Sequence, residues 1–326
     1  MRLAFIGGHG HHYLRLAVQN APDAFTVAMA GDGFDNDAAR NWSTRLPNAQ
    51  WFDDTSTLFD KFQPDAVSIG AVYGHNGEIA ALALEHDIAV VSDKPVAASW
   101  QQFQRLQELT QNNSRVLLTE FPFRSQPEFR AAQQAVASGK IGTVVLASAQ
   151  KSYRFGASRP AWYGRRADYA GTMLWVASHG IDALRFCSGQ QFERVIGIQH
   201  NLSRPDYVEM EDHCVALFEM QNGGSAMVHA DFLRPAGAAS HGDDRLRIAG
   251  SLGIVEVRDG RCRLSAGSDP EIDITDSVSV RPIESELLSV LRGEKSQWYS
   301  TEESLIIAEI LLHTRDAADQ RNWKKW

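Results

Sequence analysis

The chain has 326 residues, 44% of them hydrophobic and 22% charged, enough for a substantial buried core in one large or two ordinary domains. A balance of 32 basic against 40 acidic residues gives a net charge of −8 with no basic stripe, which argues against nucleic acid as a partner. No apolar run approaches the ~20 residues of a membrane span, and the opening Met1–Ile6 turns straight into glycines, too short for a signal-peptide core. Cys187, Cys214 and Cys262 are far apart and form no Cys-x-x-Cys pair, so they read as buried thiols of a reducing compartment. These features predict a cytoplasmic protein whose partner is a small molecule.

In chain order, the apolar run Leu3–Ile6 opens on Gly7-Gly8-His9-Gly10-His11-His12, after which Tyr13–Val18 reads as a helix. A strand, a glycine turn and a helix form the phosphate-cradling start of a Rossmann unit, which places Gly7, Gly8, His9, Gly10 and His12 in a cofactor loop. Counted from Gly7, His9 and His12 stand where G-x-G-x-x-G has its second and third glycines. A second strand, Phe25–Ala30, ends in Gly31-Asp32. Asp32 lies where the acid that binds the adenosine ribose is expected, although Asp-Gly also makes a common turn cap. Asp35 and Asp37 follow, so a 2′-phosphate would meet several carboxylates, and NAD is favoured over NADP. The cluster His9, His11 and His12 also admits a metal site of the kind used by metal-dependent hydrolases, which would need further ligands and eight β/α repeats.

Asp54-Thr55 caps a helix through Phe62, Asp65–Gly70 is a buried strand, and Gly77–His86 is an apolar helix. The strand Ile88–Val91 ends at Ser92-Asp93-Lys94-Pro95, Ser99 caps another helix, and Arg115–Thr119 is a further strand. This alternation predicts a doubly wound parallel sheet, with Lys94 at its mouth.

Asp65-Ala66-Val67-Ser68-Ile69, Glu78, Ala80, Leu84-Glu85, Val90 and Asp93-Lys94-Pro95 fall in step with one pattern. Here the chain resembles the Gfo/Idh/MocA family, the sugar and inositol dehydrogenases related to glucose–fructose oxidoreductase. The resemblance implies that Lys94 contacts the nicotinamide ribose and the reacting hydroxyl, and that Tyr73, His75, Asn76 and Asp93 belong to the cofactor site. Asp93 replaces the family's Glu, Val72-Tyr73 replaces Pro-Asn, and the family's histidine falls on Asn76, with His75 one place early.

A helix from Gln126 to Ser138 ends at Gly139-Lys140-Ile141-Gly142, and a strand follows from Thr143 to Tyr153. The aromatic and arginine-rich stretch after it offers Tyr153 and Trp162 to a sugar ring, or else is a loop pinned by its aromatics. Gly171–Asp182 reads as one helix with positions 175, 179 and 182 on one face. It is similar to the family's G-G-x-x-L-x-D-x-G-x-H-x-x-D, which implies His179 as general base and Asp182 beside the substrate. Trp175 occupies the family's catalytic Asp position, where it can stack on a sugar face but exchange no proton. The remaining strands, with Asn222-Gly223 and Asp259-Gly260 as hairpin turns, predict an open, mostly antiparallel sheet, and helices Glu284–Leu291 and Thr301–Asp316 close the chain.

The expected architecture is α/β: an N-terminal Rossmann domain over 1–121 and a C-terminal α+β domain over 122–326. In the family the open sheet pairs subunits, which implies a homodimer or homotetramer. The expected function is NAD(H)-dependent hydride transfer between nicotinamide and a hydroxyl or carbonyl carbon of a sugar, polyol or related small molecule, without a metal. The alternatives are a non-catalytic NAD- or sugar-binding regulator, which Trp175 favours, and the metal-dependent hydrolase.

Overall fold

A computed structural model describes residues 1–46, 48–112, 114–156 and 159–325. The chain divides into two compact units. In the first, β1 (Arg2–Ile6), β2 (Thr26–Ala30), β3 (Gln50–Phe52), β4 (Ala66–Ile69), β5 (Ala89–Ser92) and β6 (Leu117–Thr119) form a parallel sheet in the order β3-β2-β1-β4-β5-β6. This is the doubly wound order, whose reversal between β1 and β4 opens a crevice at the carboxyl ends of the strands. Strands β4 and β5 are buried at every position, as a sheet covered on both faces requires. Strand β3 has only three residues, too few for a readable pattern, and was not among the predicted strands.

Between the strands run α1 (Leu14–Asn20), α2 (Asn36–Ser43), α3 (Thr55–Phe62), α4 (Asn76–Glu85) and α5 (Trp100–Gln111). Asp54 and Ser99 cap α3 and α5 as their sequences predict, accepting the amides of Thr57 and Gln102.

The second unit carries α6 (Pro127–Ala137), β7 (Val144–Tyr153) and the short α7 (Arg166–Tyr169), whose last residues count with the first unit. The predicted helix 171–182 is in fact two, α8 (Thr172–Trp175) and α9 (Ala177–Ser188). At the break, Ser178 Oγ donates to the Trp175 carbonyl at 2.9 Å and competes with the helical ladder. Strands β8 (Phe192–His200), β9 (His213–Met220), β10 (Ser225–Asp231), β11 (Gly242–Gly250), β12 (Gly253–Arg258), β13 (Arg261–Ala266) and β14 (Ile272–Asp273) complete most of a nine-stranded sheet. Among the described residues its pairings are antiparallel except β7 with β10. Asn222-Gly223 and Asp259-Gly260 turn the two predicted hairpins, and Asp259 and Gly260 both take positive φ, the backbone a two-residue hairpin turn needs. Helix α9 lies on β7 and β10, and Gly180 permits it: a Cβ there would fall 2.6 Å from Val228 Cγ2.

The tail holds α10 (Ile283–Leu291), α11 (Thr301–Gln320) and β15 (Lys324–Lys325). The sequence division assigns everything after residue 121 to the second domain, but residues 167–170 and 282–309 fold with the first unit. Ile283, Leu287 and Leu288 of α10 are buried with Leu14 and Val18 of α1, Trp42 of α2 and the sheet residues Leu3, Phe5 and Met29. An apolar stripe at i, i+4 and i+5 gains most by joining that core.

The loop after β1 is held by close backbone approach. A Cβ on Gly8 would lie 2.3 Å from the Ala38 carbonyl carbon in α2, whereas one on Gly33 (φ +83°) meets nothing within 4 Å. Gly33→Ala should therefore cost only about 1–2 kcal/mol for its backbone conformation, while Gly8→Ala should cost roughly 3 kcal/mol or more because backbone must move. Urea denaturation of both variants measures the difference.

Candidate functional site

In the first unit, the carboxyl ends of β1, β2, β4, β5 and β6 bring together the residues singled out in the sequence. Gly7 and Gly10 take φ values of +85° and +72°. A Cβ on Gly7 would overlap the Gly70–Ala71 backbone, and one on Gly10 would lie 2.0 Å from Asp93 Oδ2. The loop is thus pressed against the turns that follow β4 and β5.

The three histidines go to three different partners. His9 Nε2 is 2.8 Å from Asp35 Oδ2. His11 Nδ1 lies 3.3 Å from both Asp93 Oδ2 and Lys94 Nζ, its ring stacked on Tyr13. His12 is buried below the loop, with Nδ1 2.8 Å from Ser68 Oγ and its ring against Trp42 and Phe5. Burial lowers its pKa from 6.5 to about 4, so it is neutral at pH 7. His12, expected in the cofactor loop, is a core residue that fills the space a third glycine would leave. No group of three potential metal ligands gathers among the described residues.

Two other expected cofactor residues fasten loops. Asp32 Oδ1 accepts the amides of Phe34 and Asp35, and its Oδ2 accepts that of Val72, so the acid placed for the ribose ties the β2 turn to the β4 turn. Asn76 is fully buried, accepting the Ala71 amide and donating to the Asp93 and Pro95 carbonyls. Tyr73 and His75 form a short 3₁₀ turn. Tyr73 is buried near Tyr169, while His75 pairs with Asp168 at 2.9 Å and carries Phe34 stacked on its ring.

Lys94 is 1% exposed at the end of β5, preceding a cis peptide bond to Pro95. Its Nζ lies 3.2 Å from Asp93 Oδ1. Asp93 also accepts the His11 amide at 2.8 Å and the Lys94 amide at 2.9 Å. Burial would raise the Asp93 carboxyl, but the charges of Lys94 and His11 and these hydrogen bonds outweigh it and hold the pKa at about 2. Glu120, which the sequence analysis did not single out, is buried beside this pair.

In the second unit, His179 is buried on α9 with Phe123 5.4 Å away, ring to ring. Phe123 and Tyr153 both face the Lys151 ammonium, at 4.6 and 4.7 Å, and Lys151 pairs with Asp244 at 2.7 Å. His241 packs on Tyr153 at 4.9 Å. Asp182, expected beside the substrate, is instead gripped by Arg124, whose Nε lies 3.0 and 3.1 Å from its two oxygens. Both are buried, so the pair anchors α9 to the segment after β6. Trp175 ends α8, buried, and Trp162 is buried against Tyr163. Lys151 had a legible signal, a charge in register with the inward-facing Ala147 and Ala149 of β7.

Residues 1–121 match the model of the GFO/IDH/MocA oxidoreductase family, NAD-binding Rossmann fold, and residues 129–256 match the GFO/IDH/MocA C-terminal domain. The chain belongs to the Gfo/Idh/MocA oxidoreductase family, and its first 121 residues are an NAD-binding Rossmann domain. It is similar to D-glucoside 3-dehydrogenase of Escherichia coli (strain K12), 23% identical over 211 residues, a match that takes in 60% of this chain and 59% of that protein. A solved structure from Thermotoga maritima has a TM-score of 0.92 at 28% identity, covering 100% of both chains. Levoglucosan dehydrogenase in complex with NADH and L-sorbose shares the fold, with TM-score 0.83, 16% identity and coverage of 100% of this chain and 98% of that one. So does an inositol dehydrogenase homolog from Azotobacter vinelandii with NAD+, with TM-score 0.80, 16% identity and coverage of 100% and 97%.

The neutral His12 has a consequence for stability. Below pH 6.5 the unfolded chain binds a proton that the folded one refuses until about pH 4, so stability falls as pH drops through that window, by about 3 kcal/mol in all. His12→Asn should flatten this part of a plot of unfolding free energy against pH, measured by denaturant titration from pH 7 to 4.

Proposed function

We propose that the chain is an NAD(H)-dependent dehydrogenase that moves a hydride between nicotinamide and the hydroxyl- or carbonyl-bearing carbon of a sugar, polyol or related small molecule. The observation that carries this reading is the Lys94 ammonium, buried between Asp93 and His11 at the carboxyl end of β5 in an NAD-binding domain. The names of the similar proteins, acting on a glucoside, levoglucosan and inositol, support the substrate class.

The residues fit the cofactor. A glycine loop joins β1 to α1, and α1 begins without a side-chain cap or an acidic first turn, which suits a pyrophosphate. Asp35, its side chain 28% exposed, and the neighbouring Asp37 would repel a 2′-phosphate, which favours NAD. When bound, the nicotinamide supplies the hydride acceptor or donor.

Lys94 would hold the reacting oxygen by a charge-assisted hydrogen bond, and His179 would take the hydroxyl proton as the hydride leaves the same carbon. In the reverse direction His179 returns that proton to the carbonyl oxygen. Trp175, Tyr153 and Trp162 would offer aromatic faces to the sugar ring.

The chain would also act as a homo-oligomer. On the sheet face opposite α9, Ile198, Val215, Leu217 and Met227 are exposed, and Leu217 lies in register with Ile196 and Met227. A second copy of this chain would cover such a patch.

Lys94→Ala and His179→Ala should each lower kcat for the active sugar or polyol by about 100-fold or more, while calorimetry still detects NADH binding by folded protein. Unchanged turnover in both would reject the assignment. Leu217→Arg should convert the oligomer to a monomer in light scattering, and a wild-type chain that is already monomeric would remove the sheet-face reading.

A further inference from the structure

The end of β6 brings a second carboxyl to the Lys94 loop. Thr119 pairs with Ser92 in register and the Glu120 amide donates to the Ser92 carbonyl at 2.9 Å, so Glu120 lies alongside Asp93. Its side chain is buried, with Oε1 accepting the Tyr13 amide at 3.1 Å. Among the described residues none gives Oε2 a hydrogen bond. The charged and titratable groups around it are Asp93 and Lys94 from the end of β5 and Tyr13 from the turn before α1, with His11 beyond Asp93 and Tyr299 beyond Tyr13.

We propose that Glu120 is a positioning residue for Lys94: it remains the un-ionised member of a carboxyl pair with Asp93, so that one buried ammonium faces one carboxylate rather than two. The inference rests on the reading of Lys94 as the group that holds the substrate oxygen. Two carboxylates against one ammonium would leave a buried negative charge uncompensated, and such a group takes up a proton instead. Asp93 has the ammonium and two amides and keeps its charge. Glu120 has one amide and an oxygen without a donor, and burial together with the Asp93 charge pushes its carboxyl well above the usual range. A second negative charge would draw the ammonium toward the carboxylates and away from the substrate oxygen.

Glu120→Gln tests this, because the amide keeps the shape and the acceptor for Tyr13 but cannot ionise. Below about pH 4, under the ordinary glutamate value, the folded and unfolded wild-type chains both largely hold the proton. Above it only the folded chain does, so wild-type stability falls as pH rises. The variant should therefore match wild type below about pH 4 and melt higher at pH 8, by a few degrees. Infrared difference spectra should lose a protonated-carboxyl C=O band, and the alkaline limb of the kcat/KM profile should shift upward in pH.

A variant that melts lower at pH 8 with no band lost would show Glu120 ionised and overturn the proposal. Loss of the band with an unmoved pH profile would overturn the positioning role. A wild-type chain with no turnover on sugars or polyols would instead count against the dehydrogenase reading, and leave melting and infrared data to decide the state of Glu120.

Discussion

Asp93 stands at the end of β5 with no exposed surface, and the loops of the first unit close on its carboxylate. It takes the amide of His11, the amide of Lys94 and the Lys94 ammonium, and the missing Cβ of Gly10 leaves it room. Burying a carboxylate and an ammonium costs several kcal/mol each unless geometry and hydrogen bonds offset the loss. That requirement fixes the path of the chain after β1. Gly7 and Gly8 serve it too, one against the β4 turn and the other against α2. The glycines of this loop are dictated first by close approach within the protein, whatever ligand the loop later holds.

The same economy explains the departures from the glycine pattern. His12 can stand where a glycine is expected because burial keeps it neutral and Ser68, Trp42 and Phe5 enclose it. In the second unit another buried ion pair, Arg124 with Asp182, anchors the helix that carries His179. Each unit thus presents one proton-bearing group, Lys94 or His179, on a segment immobilised by a buried carboxylate. Rigid presentation of this kind suits the roles proposed for the two groups.

Much of this was legible in the sequence. Asp54 and Ser99 announced their helices through capping, Asn222-Gly223 and Asp259-Gly260 announced their hairpins, and the run from Asp65 to Pro95 carried the family. Motif spacing places Asp32 and His12 at the cofactor, and the family resemblance places Asn76 there and Asp182 beside the substrate; in the structure each bonds to other groups of the protein. Their partners, Val72, Ser68, Ala71 and Arg124, lie 40, 56, 5 and 58 residues away along the chain. Glu120 gave no signal, since a lone glutamate after a strand is ordinary until Asp93 is found beside it.

The sequence alone determined most of the longer elements, the parallel and antiparallel sheets and the family, because caps, turns and hydrophobic periods act over a few residues. Tertiary structure alone decided which polar groups became fasteners between loops. It also decided that α10 completes the core of the first unit, and that two carboxyls and a lysine share one buried volume. Those outcomes depend on desolvation, and a group's desolvation is set by everything that packs around it rather than by its neighbours in the chain.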